Sequence, residues 1–252
     1  MDSKIQDHAR LQTLELLKNN MKMVNSPQYE IGNSNRFSPD YVTFDATSPL
    51  AGKKIAFLGS SITYGFAAKD ISFVDYLAAR DGVEVTKSAV SGTTLAGLEK
   101  DGYLERLYND FKEDQHYDLF VCQLSTNDYQ LGKELGESTS LDQEKNFNRN
   151  TTLGAMEEIA RYVKSELHCP LAFYTCPQKE PAAQYKQLIA QLNQLQKKWK
   201  FAIIDLFNNQ ALKAATSAHP NAMFDNIHPT REGYLKLWLP VFEQELTQIL
   251  NK

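Results

Sequence analysis

The fold is decided by a short segment at residues 54–64, which reads KIAFLGSSITY. Its first half, Lys54–Leu58, is an apolar run of the length that predicts a buried strand. Gly59 and the small polar residues after it predict a sharp turn at the end of that strand, followed by the start of a helix. A strand that leads directly into a helix is the unit from which α/β folds are built.

The same unit is repeated along the chain. Further apolar runs predict strands, at residues 83–90, 118–124, 171–175 and 201–207. Helical patterns lie between or after them, at residues 73–80, 98–111, 144–167, 182–199 and 230–250. This alternation of strands and helices predicts an α/β protein whose parallel sheet is covered by helices on both faces.

The first 50 residues do not follow this pattern. Apolar residues recur at three- and four-residue spacing within residues 5–24, which predicts an amphipathic helix. Residues 25–51 contain several proline, asparagine and serine residues, which predicts an irregular arm or short strand segments. We therefore assign residues 1–50 to an N-terminal helix and arm, and residues 51–252 to the main domain.

The bulk composition excludes several classes of function. The 252 residues are 42% hydrophobic and 23% charged, as in an ordinary globular protein. The net charge is -4 and there is no long basic run, so nucleic-acid binding has no electrostatic basis. No stretch approaches the ~18 apolar residues of a membrane span, and the N-terminus has no signal-peptide core. The three cysteines lack the spacing of a metal or redox motif, and we expect a cytoplasmic protein.

Four short polar segments stand out because each follows a predicted strand. They are Gly59–Thr63, Ser91–Gly92, Ser125–Asp128 and Asp225–Pro229, the last of which also precedes the final helix. In a parallel α/β sheet, ligands bind outside the carboxyl ends of the strands. The four segments are therefore expected at one edge of the sheet, where their side chains can meet.

Together these segments contain the groups that acyl transfer requires. Ser61 has the hydroxyl of a nucleophile, His228 can act as its base, and Asp225 can orient that base. Gly92 and Asn127 can offer N–H donors to a developing oxyanion. Each residue alone has a commoner structural explanation, as a helix cap, a turn or loop residue, or an exposed histidine. The combination favours a serine hydrolase.

The segments resemble the conserved blocks of the SGNH hydrolases, also called the GDSL-like lipase/esterase family. By this resemblance Ser61 is the nucleophile, and Asp225 and His228 complete the catalytic triad. The resemblance also implies an oxyanion hole made by the backbone N–H groups of Ser61 and Gly92 and by the Asn127 amide. The family fold is a flavodoxin-like three-layer α/β/α sandwich, which agrees with the predicted five-stranded parallel sheet.

The resemblance spans residues 53–245, and two positions depart from the family pattern. Ser60 stands where the family usually has an aspartate beside the nucleophile. Ser125 stands where the third block usually has a glycine. Neither position supplies a group that does the chemistry, but the hydrogen bonds around Ser61 and Asn127 must differ from those of other members.

The resemblance implies a serine esterase that hydrolyses carboxylic esters through an acyl-enzyme, with no metal and no organic cofactor. We expect a small-molecule ester as substrate, with a short acyl group such as acetyl, carried by a carbohydrate. Residues beside the motifs are candidates to line the pocket: Tyr64, Phe66, Tyr129 and Asn226. The sequence carries no signal for the oligomeric state.

Three alternatives remain open. A transacylase would use the same triad with an alcohol or sugar as acceptor, and a non-catalytic binding domain could share the fold. A metal-dependent hydrolase would use His219, Asp225 and His228, although no second carboxylate joins them at ligand spacing. Zinc content, and product analysis with added acceptors, would separate the metal enzyme and the transacylase from the esterase.

Overall fold

One parallel sheet forms the centre of the molecule. The computed structural model describes residues 26–177 and 183–252, and five strands lie within them. They are β1 (Lys54–Gly59), β2 (Glu84–Ala89), β3 (Leu119–Gln123), β4 (Leu171–Tyr174) and β5 (Ala202–Ile204). The strand order is β2-β1-β3-β4-β5, and all four pairings are parallel. This is the order of a flavodoxin-like sheet, so the predicted five-stranded parallel sheet is confirmed.

Helices cover both faces of the sheet, which gives the predicted three-layer sandwich. In chain order they are α1 (Pro27–Gly32), α2 (Ser61–Tyr64), α3 (Phe73–Asp81), α4 (Tyr103–Asp110), α5 (Asn127–Gln130), α6 (Thr152–Tyr162), α7 (Ala183–Trp199), α8 (Gln210–Ala218), α9 (Arg231–Gly233) and α10 (Leu239–Leu250). A π-helical turn extends α6 through Val163–Leu167, and another joins α9 to α10 through Tyr234–Trp238. Helix α3 packs against α10, whereas α6 packs against α4 and α7. Within residues 26–177 and 183–252, no helix combines the length and the apolar content needed to cross a membrane.

Aromatic side chains fill the space between the sheet and the helices. Phe73 of α3 stacks on Phe242 of α10 with ring centroids 3.7 Å apart, and Tyr174 of β4 meets both rings edge-on. Every side chain of β3 is buried. Burial on both faces of the sheet explains why this strand reads as a continuous apolar run. The sheet therefore provides a rigid base for the polar segments that follow its strands.

Two helices begin later than the sequence pattern indicated. The helix expected over residues 98–111 starts at Tyr103, and the helix expected over residues 144–167 starts at Thr152. Thr151 is the N-cap of the second helix, because its side-chain oxygen accepts a backbone N–H of the first turn. This cap, rather than the apolar period, decides where that helix begins.

Strand β5 is shorter than the run at residues 201–207 predicted, and the chain soon turns into α8, which the sequence analysis missed. Asn209 caps α8 by accepting the backbone N–H of Leu212 at 2.9 Å. Apart from the buried Leu212, α8 consists of alanine and polar residues. The apolar period that signals a helix is therefore weak in this segment.

The N-terminal arm packs on the main domain as a helix and turns rather than as strands. After α1, the arm contains two 3-10 turns, Asn35–Phe37 and Pro39–Tyr41. Phe37 and Leu50 are buried and attach the arm to the domain. The helix predicted over residues 5–24 lies outside the described residues, and the division of the chain after residue 50 stays a prediction.

Candidate active site

The carboxyl edge of the sheet carries the four polar segments. Ser61 follows β1, Gly92 lies beyond β2, and Asn127 lies just beyond β3. Because β1 lies between β2 and β3 in the sheet, the Ser61 turn is flanked by the other two segments. His228 comes from the loop between α8 and α9. The topology thus places candidate groups where parallel α/β sheets bind ligands.

Three side chains form a continuous hydrogen-bonded series at this edge. Oγ of Ser61 lies 2.8 Å from Nε2 of His228, and Nδ1 of His228 lies 2.7 Å from Oδ2 of Asp225. Ser61 is 7% exposed, whereas the Asp225 side chain is 40% exposed. When the imidazole carries its proton on Nδ1, Nε2 is free to accept the Ser61 hydroxyl proton. The structure therefore brings together the three residues that the sequence placed in a triad.

The loop that carries His228 is shaped by Asp225. Oδ1 of Asp225 accepts the backbone N–H groups of Ile227 and His228 at 2.8 and 2.7 Å, while Oδ2 faces the imidazole. The backbone N–H of Phe224 donates to the carbonyl of His228 at 2.9 Å and closes the turn. Aspartate commonly builds such turns by bonding to its own backbone two residues on. One carboxylate therefore fixes both the loop and the imidazole.

The surroundings of Asp225 favour its ionised form. Burial alone would raise the pKa of this carboxyl, but hydrogen bonds from the His228 side chain and from the backbone, together with the His228 charge, outweigh it and lower the pKa. Asp225 is thus a carboxylate at neutral pH. A carboxylate beside Nδ1 holds the imidazole in the tautomer that leaves Nε2 free.

Buried hydrogen bonds fix the turn that carries Ser61. Oε1 of Gln123, at the end of β3, accepts the backbone N–H groups of Ser60 and Thr63 at 2.9 and 3.2 Å. It also accepts the Thr63 hydroxyl at 2.8 Å, and Nε2 of Gln123 donates to Oγ of Ser60 at 3.0 Å. Gly59 has no room for a Cβ, because the Thr63 side chain lies against it. Ser60, which replaces the usual aspartate, therefore pairs with Gln123 and stabilises the turn.

The structure rejects the role of helix cap for Ser61. Ser61 is the first residue of α2, and the N-cap position belongs to Ser60, whose side chain makes no capping hydrogen bond. The Ser61 hydroxyl instead faces His228. Its environment is that of a hydroxyl paired with a base.

Two of the three predicted oxyanion donors lie in the segments that flank Ser61. Nδ2 of Asn127 donates to the carbonyl of Thr93 at 2.8 Å, which uses one of its two amide hydrogens. The Asn127 backbone N–H donates to Oγ of Ser125 at 3.0 Å, so the serine that replaces the usual glycine helps to fix Asn127. Gly92 is exposed, with φ of 81°, a conformation that glycine adopts without strain. The roles of Ser61, Gly92 and Asn127 as oxyanion donors stay predictions.

Asp128 anchors the loop after Gly92, a role that the sequence analysis missed. Its carboxylate accepts the backbone N–H groups of Leu95 and Ala96, each at 2.9 Å, and the hydroxyl of Thr152 at 3.1 Å. Burial raises the pKa of Asp128, and these donors act in the opposite direction. The buried acid beside Asn127 therefore ties the Gly92 loop to the end of β3.

Arg106 is a second supporting residue that the sequence analysis missed. It is 5% exposed, and its guanidinium donates to the carbonyls of Ser88 at 2.7 Å and Gly59 at 2.8 Å. A guanidinium has five N–H donors, so one side chain can satisfy carbonyls from two strands. The available signal was a charged residue between Leu104 and Leu107, on the apolar side of α4.

The four predicted pocket residues lie in different surroundings, and Phe66 is in contact with a residue of the triad. The ring of Phe66 packs on the imidazole of His228, with centroids 5.3 Å apart. Tyr129 lines a cavity of about 310 Å³ between α5, the loop that follows it, and α7. Polar and apolar side chains share the remaining lining of this cavity, among them Lys133, Glu134, Leu135, Gln184, Gln187 and Leu188. Of the other two candidates, Asn226 is exposed and Tyr64 is partly buried.

The residues of the metal alternative do not form a cluster. Nδ1 of His219 lies 2.9 Å from the carbonyl oxygen of Ala215, one turn earlier in the chain. Asp225 and His228 face each other, and His228 faces Ser61. Throughout residues 26–177 and 183–252, no three His, Cys, Asp or Glu side chains are grouped so that they could hold a metal ion.

Solved structures of other proteins share this fold. A protein from Lactobacillus plantarum is 21% identical with a TM-score of 0.60, over 80% of this chain and 97% of that one. A proposed lipolytic protein of the G-D-S-L family from Desulfitobacterium hafniense is 14% identical with a TM-score of 0.56, over 77% and 99% of the two chains. A family two carbohydrate esterase from Cellvibrio japonicus is 14% identical with a TM-score of 0.53, over 80% and 62%. At these identities the likeness shows the fold alone.

The family assignment rests on a match to the sequence itself. Comparison with curated proteins gives no match. The model of the GDSL-like lipase/acylhydrolase family matches residues 57–236, which is more than half of the chain. The matched region includes all four polar segments, from the Ser61 turn to the His228 loop. The chain therefore belongs to the GDSL-like lipase/acylhydrolase family, as the resemblance of those segments predicted.

Proposed function

We propose that the protein is a serine esterase that hydrolyses small-molecule carboxylic esters through an acyl-enzyme. The observation that carries this proposal is the series from Ser61 through His228 to Asp225, with separations of 2.8 and 2.7 Å. A catalytic triad is recognised by this geometry and by the role of each group, not by sequence position. Membership of a lipase/acylhydrolase family supports the same class of reaction.

Acylation begins when Oγ of Ser61 attacks the carbonyl carbon of the ester. The Ser61 proton passes to Nε2 of His228, and Asp225 stabilises the imidazolium that forms. The carbonyl oxygen becomes an oxyanion, which accepts hydrogen bonds from the backbone N–H groups of Ser61 and Gly92 and from the Asn127 amide. The bond from carbon to the alcohol oxygen then breaks, and His228 gives its proton to the departing alkoxide. The acyl group remains on Ser61.

Water completes the cycle. As a water molecule attacks the acyl carbonyl, His228 takes one of its protons, and the same donors hold the second oxyanion. The bond between the acyl carbon and Oγ of Ser61 breaks, and His228 returns the proton to Oγ. A carboxylic acid leaves and the enzyme is restored. The side chains named here supply every proton transfer in the cycle.

For the substrate we favour a short acyl group, such as acetyl, on a carbohydrate. We infer that the alcohol portion extends toward the cavity beside Tyr129, whose lining includes Asp128, the neighbour of Asn127, and whose Gln184, Gln187 and Lys133 side chains can hydrogen-bond to hydroxyls. Its volume of about 310 Å³ lies at the low end of the range for small-ligand sites. The structural neighbour from Cellvibrio japonicus, a carbohydrate esterase, points to the same class.

Hydrolysis of a chromogenic acetyl ester tests the reaction class. The wild type is compared with Ser61→Ala and His228→Ala, and with Ser217→Ala and His116→Ala as matched controls at exposed positions outside the four segments. We expect kcat to fall about 10⁴–10⁶-fold in the first two variants and to stay at the wild-type value in the controls. Equal background rates in all five proteins would reject the esterase for such esters.

Product analysis tests the substrate and separates hydrolysis from transfer. We expect sugar acetates to be cleaved faster than the corresponding butyrates and octanoates, with free acetate as the product. The assay is repeated with sugar and alcohol acceptors in excess. Formation of the acetylated acceptor in place of acetate would replace the esterase with a transacylase that uses the same acyl-enzyme.

A further inference from the structure

The first part of the N-terminal arm lies against the loop at residues 221–231, which contains His228. The ring of Tyr29 in α1 meets the ring of Phe224 edge-on, with centroids 6.5 Å apart. At Gly32, a Cβ would overlap the side chain of Thr230 and a carbonyl oxygen of the same loop. Helix α1 is therefore in direct contact with the chain both before and after the turn at Asp225–His228.

Asn33, directly after α1, joins this loop to the nucleophile side of the site. Its Nδ2 donates to the carbonyl of Ala67 at 2.9 Å, and its Oδ1 accepts the backbone N–H of Arg231 at 3.0 Å. Asn33 is fully buried, with 0% exposure. Ala67 is six residues after Ser61, and Arg231 is three residues after His228. One buried amide thus links the two parts of the chain that carry the reacting groups.

The turn held by Asn33 also carries the aromatic ring that packs on the base. Phe66 immediately precedes Ala67, and its ring centroid is 5.3 Å from that of His228. The guanidinium of Arg231 adds a second link, because its Nε donates to the carbonyl of Ala68 at 3.2 Å. A shift of this turn relative to the loop would therefore alter the packing of the imidazole.

Asparagine has the chemistry that this position requires. A short amide offers one donor group and one acceptor, and Asn33 uses one toward each side. Aspartate would keep the acceptor for the Arg231 N–H but would place an anionic oxygen against the Ala67 carbonyl. Alanine would remove both bonds from a buried place, where unmade hydrogen bonds of backbone groups are costly.

We propose that Asn33 is a positioning residue of the active site. Its amide fixes the separation between the turn at Ala67 and the loop at Arg231, and so keeps Nε2 of His228 within hydrogen-bond distance of Ser61 Oγ. Its effect on catalysis rests on the proposed esterase function, whereas its effect on geometry does not. A misplacement of about 1 Å caused by a remote change can lower a rate about 100-fold.

Two variants and a matched control test this role. Asn33→Ala removes the bridge, Asn33→Asp removes its donor half, and Asn35→Ala changes an exposed asparagine of the same arm. Crystal structures give the distance from Ser61 Oγ to His228 Nε2, and thermal melts show whether each variant is folded. Steady-state kinetics with the acetyl ester separate kcat from KM.

We expect the distance to lengthen beyond the wild-type 2.8 Å in both Asn33 variants and to stay unchanged in the control. We expect kcat to fall about 10–100-fold in the Asn33 variants, with KM within about twofold of the wild type. Partial unfolding would also lower the apparent kcat at constant KM, because fewer enzyme molecules are active. It would not move the Ser61–His228 distance in the folded molecules, so the distance separates the two explanations.

An unchanged distance in a folded Asn33 variant would overturn the proposal, as would an equal loss of kcat in Asn35→Ala. If Asn33→Ala does not fold, Asn33→Asp decides, because it keeps the bond to Arg231. If neither folds, Asn33 is a stability residue and the positioning role is rejected.

If the distance lengthens but the wild type hydrolyses no ester, the positioning role stands and the esterase fails. If the wild type is active and the distance is unchanged, the esterase stands and the positioning role of Asn33 fails.

Discussion

The two partners of the proposed proton transfer are held in different ways. Ser61 lies in a turn that is fastened from the neighbouring strand, where Gln123 makes four buried hydrogen bonds to Ser60 and Thr63. His228 lies in a partly exposed loop, whose shape comes largely from the adjacent Asp225. The proposed nucleophile is thus fastened to the buried end of a central strand, whereas the proposed base is carried by a surface loop.

This difference separates stability from activity. Loss of a buried group with several partners lowers stability, because each partner is left without a hydrogen bond where water cannot replace it. Loss of a charge in an exposed loop changes stability little, since solvent screens it. Changes around Ser61 should therefore lower both the free energy of unfolding and kcat. Changes in the His228 loop should lower kcat alone.

The largest effect is expected for Asp225→Asn. The amide oxygen can still accept the backbone N–H groups of Ile227 and His228, so the turn is kept. The amide no longer stabilises the imidazolium or the reactive tautomer, and we expect kcat to fall about 10³–10⁴-fold. Thermal melts should show Tm within about 2 °C of the wild type. A large fall in Tm would show that the loop depends on Asp225 for its fold and would remove the contrast between the two regions.

A smaller effect on kcat, with a larger one on stability, is expected for Gln123→Leu. The change leaves the buried N–H groups of Ser60 and Thr63 without their acceptor, so the free energy of unfolding should fall by about 2–4 kcal/mol. Displacement of Ser61 should lower kcat about 10-fold. Urea unfolding and kinetics check both, with Gln194→Leu at an exposed position of α7 as the control. Equal stability of the two variants would contradict the account.

Outside both regions, the titration of a carboxyl pair, Asp81 and Glu243, should change stability without changing kcat. Burial, with a further contribution from the charge of Asp81, raises the pKa of Glu243 to about 7, and burial also raises the pKa of Asp81. Arg80, whose Nε lies 3.2 Å from Glu243, opposes the shift, and Asp45 adds to it. Because the folded state binds the proton more tightly, this contribution to stability is present at low pH. It is lost as the pH rises through about 7.

Glu243→Gln should weaken this pH dependence, because the amide does not ionise and only Asp81 keeps a raised pKa. Urea unfolding at about pH 5 and about pH 9 should show a loss of about 1–3 kcal/mol in the wild type and a smaller loss in the variant. The kcat of the variant should equal that of the wild type at each pH. Identical pH dependence of stability in the two proteins would contradict the assignment to Glu243.

The smallest effect in free energy is expected for Phe66→Leu. We expect the Phe66 ring, whose centroid lies 5.3 Å from that of His228, to stabilise the imidazolium of the proposed transition state by about 0.5–1 kcal/mol. Leucine keeps an apolar cover without the ring, so we expect kcat to fall about 2–5-fold. Phe66→Tyr keeps the ring and should retain the wild-type kcat. Equal rates for the leucine and tyrosine variants would show that the ring matters only as apolar cover.

The strands and the Ser61–His228–Asp225 grouping could be predicted because their signals are local. Each strand is a short apolar run, and three of the four polar segments follow a strand whose carboxyl end lies at the same edge of the sheet. The turn at Asp225 is also local, since its hydrogen bonds join residues within three positions. Parallel topology then brings distant segments together without any pairwise signal between them.

The supports of the site could not be predicted because they depend on long-range pairs. Gln123 and Ser60 are 63 residues apart, and Asn33 and Arg231 are 198 residues apart. Nothing in either neighbourhood identifies the partner. Gln123 gave a partial signal, as a polar residue at the end of a buried strand. Asn33 gave none, because an asparagine after a short helix is the usual sign of a turn.

If Ser61 forms an acyl-enzyme with the help of His228, that intermediate can be trapped during turnover. The protein is mixed with an excess of the chromogenic acetyl ester, quenched with acid during turnover, digested, and mapped by mass spectrometry. We expect an acetyl group on Ser61 in the wild type, and none in Ser61→Ala or His228→Ala under the same conditions. Acetylation of a different side chain during turnover, or undiminished hydrolysis by Ser61→Ala, would contradict the proposed role of Ser61.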